Sequence, residues 1–144
     1  MQTPETIKSR IQQFQKAVQD PKLNLIIEKL LTEAFEKAFD VQIADKPSQH
    51  KPVPISGGCV HFIFISSALE NKRAFIYDLM HEMGHLFDEV PRDVDCRTTS
   101  TLKESELRAW DFADKKFALY PNELGKYEKE YFEHRKKMLG PLGQ

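Results

Sequence analysis

The chain has 144 residues, 40% of them hydrophobic and ten of them Phe, with 21 Lys+Arg against 22 Asp+Glu and a formal net charge of -1. That is enough apolar material for one packed domain and too much for a disordered chain, while the neutral balance lacks the cationic excess on which duplex binding depends, so no nucleic-acid partner is expected. No apolar run approaches the roughly 18–20 residues of a membrane span, the N-terminus carries no secretory pattern, and the expected setting is the cytoplasm.

The helix signals begin at once. Thr3, Pro4 and Glu5 supply an N-cap, a first-turn proline and a first-turn acid, and Ile7, Ile11, Phe14 and Val18 recur at steps of three and four. Asp20-Pro21 ends this helix, and a second is expected over Leu23 to Phe39, where Ile26, Ile27, Leu30, Leu31, Ala34, Phe35 and Ala38 make a wide apolar stripe. From Val41 to Gly58 prolines and a Gly-Gly pair punctuate β-branched pieces, Val41 to Ile43 and Val53 to Ile55, which read as short strands. Cys59 to Ile65 is the best strand, with Val60, Phe62 and Phe64 on one face. Cys59 and Cys96 form no C-x-x-C pair and read as ordinary thiols.

A helix follows from about Ala74 to Asp88. Arg92 to Thr101 reads as a loop, Leu102 to Leu119 as a further helix, and about 122–138 as the last, with a frayed tail from Gly140 to Gln144. No repeat or linker divides the chain. The expected architecture is one α+β domain over 1–144, with N-terminal helices (4–39), a strand region (41–65), two central helices (74–119) and a C-terminal helix packed around a small sheet.

The chemistry lies in His81-Glu82-Met83-Gly84-His85, an H-E-x-x-H sequence on the third expected helix. Residues four apart lie one turn above each other, so both imidazoles can point at one ion, with Glu82 beside them. Two neutral imidazoles suit Zn(II), and the carboxylate can take a proton from a water whose pKa the metal lowers to about 7. Ile76, Leu79, Met80, Met83, Leu86, Phe87 and Val90 form an apolar stripe, whereas Asp78, His81, His85 and Asp88 form a polar one. Asp78 and Asp88 are thus possible partners for the second imidazole nitrogen, or solvated helix charges. Gly84 inside a helix costs about 1 kcal/mol against Ala, so it calls for a reason such as the close approach of another element.

A third protein ligand must come from elsewhere. The metzincin pattern is excluded, because Pro91 and Asp88 stand where its histidine and glycine belong. Glu106 on the next helix is the preferred ligand, since Ala109 and Ala113 on its side allow close helix approach. Glu104 then reads as a first-turn acid, and Asp93 or Asp95 in the loop are further alternatives. An oxyanion donor is also needed; Tyr77 lies one turn before His81, and Tyr120, Tyr127, Tyr131 and His134 follow the Glu106 helix. Phe62 and Phe64 mark a candidate substrate-holding strand, with a buried central strand as the competing explanation. His61 on that strand either faces the site or is structural.

The order of strand, Arg73-Ala74-Phe75, His81-Glu82-Met83-Gly84-His85-Leu86 and Glu104-Ser105-Glu106-Leu107-Arg108-Ala109-Trp110-Asp111-Phe112-Ala113 resembles the ImmA/IrrE-type metallopeptidases, gluzincin members of the zincin-like superfamily. The resemblance covers about Gly57 to Leu119. It implies one zinc ion per chain held by His81, His85 and Glu106, Glu82 as general base and acid, and a peptide or protein substrate, often a regulatory protein. Arg108-Ala109-Trp110 departs from the family's usual Glu-Ala-Asn stretch. Two rival expectations are a zinc-stabilised protein-interaction module without turnover, and a metal-free helical binding protein.

Overall fold

The computed structural model describes residues 2–143. Among them the elements run α1 (Pro4–Val18), α2 (Asn24–Ala34), β1 (Ala38–Ala44), β2 (Gln49–Ile55), β3 (Gly58–Ser66), α3 (Ala74–Leu86), α4 (Leu102–Ala118), the single turn α5 (Pro121–Leu124) and α6 (Glu128–Leu139). This is the expected α+β class, helices on a small mixed sheet. No helix among the described residues is long and apolar enough to cross a membrane.

Helix α1 starts where its cap signal lies, with the Thr3 hydroxyl accepting from the Thr6 amide at 3.2 Å. The second helix is shorter than expected. It stops at Ala34, a tight turn follows through Glu36 and Lys37, and Ala38 and Phe39 already belong to β1. The apolar stripe continued past Ala34 because a buried strand uses the same residues as a helix. A long-range contact decides between them: the Arg10 guanidinium on α1 grips both oxygens of the buried Asp40 carboxylate at 2.9 Å, holding that chain extended against the sheet.

The strand order is β1-β3-β2, with β1 parallel and β2 antiparallel to β3. Strand β3 is therefore central and has no free edge, which corrects the expectation that Phe62 and Phe64 mark a substrate-holding strand. Successive side chains alternate between faces: Ile63 and Ile65 are buried toward the helices, whereas Phe62 and Phe64 lie on the opposite face with the exposed Phe39. The edges of the sheet are β1 and β2, and it is β2 that borders the cleft.

Helix α3 packs against β3, α2, α1, α4 and α6, and all of its residues except His85 are buried. Its polar stripe thus points into other elements rather than into solvent. At its start the Arg73 guanidinium forks onto Glu130 of α6 (2.7 and 2.7 Å), which also accepts from the Tyr77 hydroxyl at 2.5 Å. The bonds from Arg73 outweigh the opposing effect of burial and hold the Glu130 carboxyl down at about 2, against an ordinary 4.5. A depressed carboxyl stabilises the fold above the unfolded value and loses that contribution as pH falls through the folded one. Glu130→Gln is accordingly expected to cost about 2 kcal/mol at pH 7, with the gap to wild type closing between pH 4.5 and 2. Urea unfolding at pH 7 and pH 3 measures it; a gap unchanged at pH 3 would contradict the assignment.

Two further corrections concern loops. Cys59 and Cys96 are not free thiols but a disulfide, their Cα atoms 5.9 Å apart across 37 residues of sequence. The segment from Asp88 to Thr101 makes this possible by folding into a small hairpin: Arg92 bridges Thr98, and the Asp93 carboxylate accepts from the amides of Asp95 (2.8 Å) and Arg97 (3.0 Å). Nothing local in the sequence announces that pairing. The tail is also ordered as far as it is described: Gly140–Gly143 forms one 3-10 turn that returns Leu142 toward the core, and Gln144 lies outside the described residues.

Candidate metal centre

Helices α3 and α4 cross at Gly84 and Ala109. A Cβ built on Gly84 would stand 2.6 Å from the Ala109 Cα and in similar conflict with the Ala109 carbonyl, so only glycine permits this approach. The close crossing is what brings a carboxylate one turn before Ala109 to the two imidazoles. Glu106 accepts from or faces His81 Nε2 at 2.7 Å with one oxygen and His85 Nε2 at 3.0 Å with the other. One ligand atom from each of His81, His85 and Glu106 lies within 4.8 Å of the others, so the three could hold a metal ion.

The electrostatics agree. Burial alone would lower the His81 pKa, but its bonds to Glu106 and Glu82 outweigh that and raise it to about 9. Burial alone would raise Glu106, but the two imidazoles bring it down to about 2. The same carboxylate that stabilises a proton on His81 would stabilise a cation in its place.

Further contacts surround the three candidate ligands. Trp110, fully buried, stacks its ring on His81 with centroids 4.3 Å apart and planes 13° from parallel. Ser105 Oγ lies 3.4 Å from His85 Nδ1. Glu82, 4% exposed, places a carboxylate oxygen 3.1 Å from His81 Nδ1 and lines the same cleft. Glu104 sits in the first turn beside the N-cap Thr101, whose hydroxyl accepts from the Glu104 amide at 3.1 Å and donates to the Glu104 carboxylate at 3.0 Å. Asp93 and Asp95 belong to the hairpin turn. Glu106→Ala is therefore expected to weaken zinc binding by more than about a hundredfold, beyond the usual cost of losing a mere supporting partner. Glu104→Ala, by contrast, should leave it nearly unchanged. Competition with a chromophoric chelator measures both, and equal affinities would remove Glu106 from the ligand set.

Three of the expected supporting residues are engaged elsewhere. Tyr77 is buried with its hydroxyl on Glu130, so it donates to nothing in the cleft. Asp78, 1% exposed, accepts from Ser48 Oγ at 2.7 Å and meets His134 Nε2 at 2.6 Å, joining α3 to the loop before β2 and to α6. Asp88 receives both arms of the Arg108 guanidinium (3.0 and 2.9 Å); burial opposes its ionisation, but that fork and the Val90 amide outweigh it and lower its pKa. Neither aspartate orients a site imidazole. Tyr131 bonds Asp114, and the Arg73 guanidinium covers the Tyr127 ring.

The cleft, about 440 Å³, opens between β2, α3 and α4, with Met138 and Leu142 from the C-terminal end on its wall. His50 on β2 lines it, stacked 6.3 Å from the His85 ring and paired through Nε2 with His61 Nδ1 at 2.9 Å. Burial, then the nearby positive charge of Arg92, pushes the His50 pKa down to about 3, so this imidazole stays neutral. His61 faces the site side only through His50; its pKa too is lowered, by burial and by Arg92. His50 and Arg92 carried no motif in the sequence, and only the register of β2 and the hairpin place them here. Protein-family models, curated proteins and solved structures offer no match to the chain.

Proposed function

We propose that the chain is a zinc-dependent metallopeptidase of the ImmA/IrrE type, with one zinc ion held by His81, His85 and Glu106. The convergence of two imidazole Nε2 atoms on one carboxylate, beside the buried Glu82 in an open cleft, carries this reading. Two imidazoles and a carboxylate with a further position open are the donor set of catalytic zinc. When bound, the ion would polarise an amide carbonyl and lower the pKa of a water to about 7. Glu82 takes the proton of the attacking water and returns it to the leaving amine. His50 lines the cleft with its Nε2 engaged by His61, which leaves its Nδ1–H as the donor for the developing oxyanion.

The Cys59–Cys96 disulfide favours a compartment that oxidises thiols over the cytoplasmic setting. A zinc-holding interaction module without turnover is the second reading, favoured by the engagement of Tyr77, Tyr127 and Tyr131 outside the cleft. Purified protein is expected to carry one zinc per chain and to cleave members of a mixed peptide library in a chelator-sensitive manner. Zinc without any cleavage would leave the module; no zinc after chelator-free purification would end both.

A further inference from the structure

The chain has six arginines. Five of them, Arg10, Arg73, Arg97, Arg108 and Arg135, sit within ion-pair distance of a carboxylate. Arg92 makes no ion pair among the described residues, and it is the arginine that lines the cleft. Its Nη1 donates to the Cys96 carbonyl at 2.9 Å, its backbone bridges Thr98, and Cys96 is itself tied to β3 through Cys59. The half-buried side chain is thus held in place while, among the described residues, most of its donors have no protein partner.

The carboxylates close by are already committed. Glu106 faces His81 and His85, Glu82 faces His81, and Asp88 is taken by Arg108. A planar guanidinium with free donors matches a carboxylate in a two-bond fork, and holding it in advance lowers the entropy that binding must overcome.

We propose that Arg92 binds a carboxylate of the peptide that occupies the cleft. That the occupant is a peptide rests on the metallopeptidase reading; that it is an anion rests on the arginine. A carboxylate has two sources in a peptide, the C-terminus and an Asp or Glu side chain. In both cases the peptide lies with its anionic group at the hairpin, in a cleft that Pro52, Met138 and Leu142 also line.

The test uses the full chain carrying Glu82→Gln, so that bound peptides survive, with and without added Zn(II). The probes are four pools of hexapeptides labelled with the uncharged dansyl group and otherwise built from uncharged residues: free C-terminal carboxylate or C-terminal amide, each with Glu or Gln at one fixed internal position. At least one carboxylate-bearing pool is expected to bind about tenfold or more tightly than the amide pool with Gln, and which one it is identifies the source. Arg92→Gln should abolish the preference and Arg92→Lys retain part of it. Equal binding of all pools, no binding by any, or a preference that survives Arg92→Gln would overturn the proposal. Because the preference is read first on chain with Arg92 intact, misfolding of a variant does not shelter it. Should zinc-loaded wild type cleave none of the pools while the Arg92-dependent preference persists, the metallopeptidase reading falls and the anion site stands.

Discussion

Glu82→Gln is expected to keep zinc at wild-type occupancy and to reduce peptide cleavage by about 10²–10⁴-fold, the usual worth of a positioned acid–base group. The side chains are isosteric, and the glutamine carbonyl can still accept from His81 Nδ1, which the glutamate oxygen meets at 3.1 Å. The orientation of the His81 ring is further secured by the Trp110 face behind it, so the ligand geometry has two supports and loses neither. What disappears is the basicity. Zinc content by mass spectrometry and turnover of a cleaved library peptide give the two readouts. Loss of both together would make Glu82 a determinant of metal binding, and retention of cleavage would remove it as the base.

Gly84→Ala is expected to destabilise the fold by about 3 kcal/mol, at the upper end of overpacking costs, although the same change on an exposed helix would stabilise it by about 1 kcal/mol. The new methyl would meet the Ala109 backbone, its Cα at 2.6 Å, so no side-chain change at position 109 can relieve it. The helices must move apart, and the cost is compounded at the site: Glu106 rides on α4 one turn before Ala109 and its two contacts, 2.7 and 3.0 Å, have little slack. A fall in Tm of roughly 10 °C is anticipated for a domain of this size, accompanied by weaker zinc binding. Thermal unfolding and chelator competition would show both; an unchanged or higher Tm would contradict the crossing.

The local features were readable because their signals are local. The cap at Thr3, the first-turn place of Glu104, and the i, i+4 placement of His81 and His85 all depend on residues within one turn of each other. The choice of Glu106 over Glu104 followed from helix geometry and the small residues beside it, and the structure places Glu106, not Glu104, against the imidazoles. The stretch from Phe35 to Phe39 was misread because its apolar pattern suits a helix and a buried strand alike, and Arg10, thirty residues from Asp40, decides it. Asp78, Asp88 and Tyr77 were misplaced for a related reason. A polar stripe on a helix says which residues share a face, but their partners here are Ser48, His134, Arg108 and Glu130, on other elements.

The sequence by itself determined the α+β class and the helix bearing His81, Glu82 and His85, because helical period acts over a few residues, and it marked Gly84 as a position calling for a reason that the crossing at Ala109 then supplies. Only the tertiary structure decided what surrounds that helix. It gathers all five histidines into one connected run of rings, from His61 through His50, His85 and His81 to Trp110 and His134. It joins Cys59 to Cys96 and leaves Arg92 at the cleft with no ion pair among the described residues. The physical reason is distance along the chain: strand register, helix crossing and loop closure bring together residues tens of positions apart, and no short pattern encodes which of them will meet.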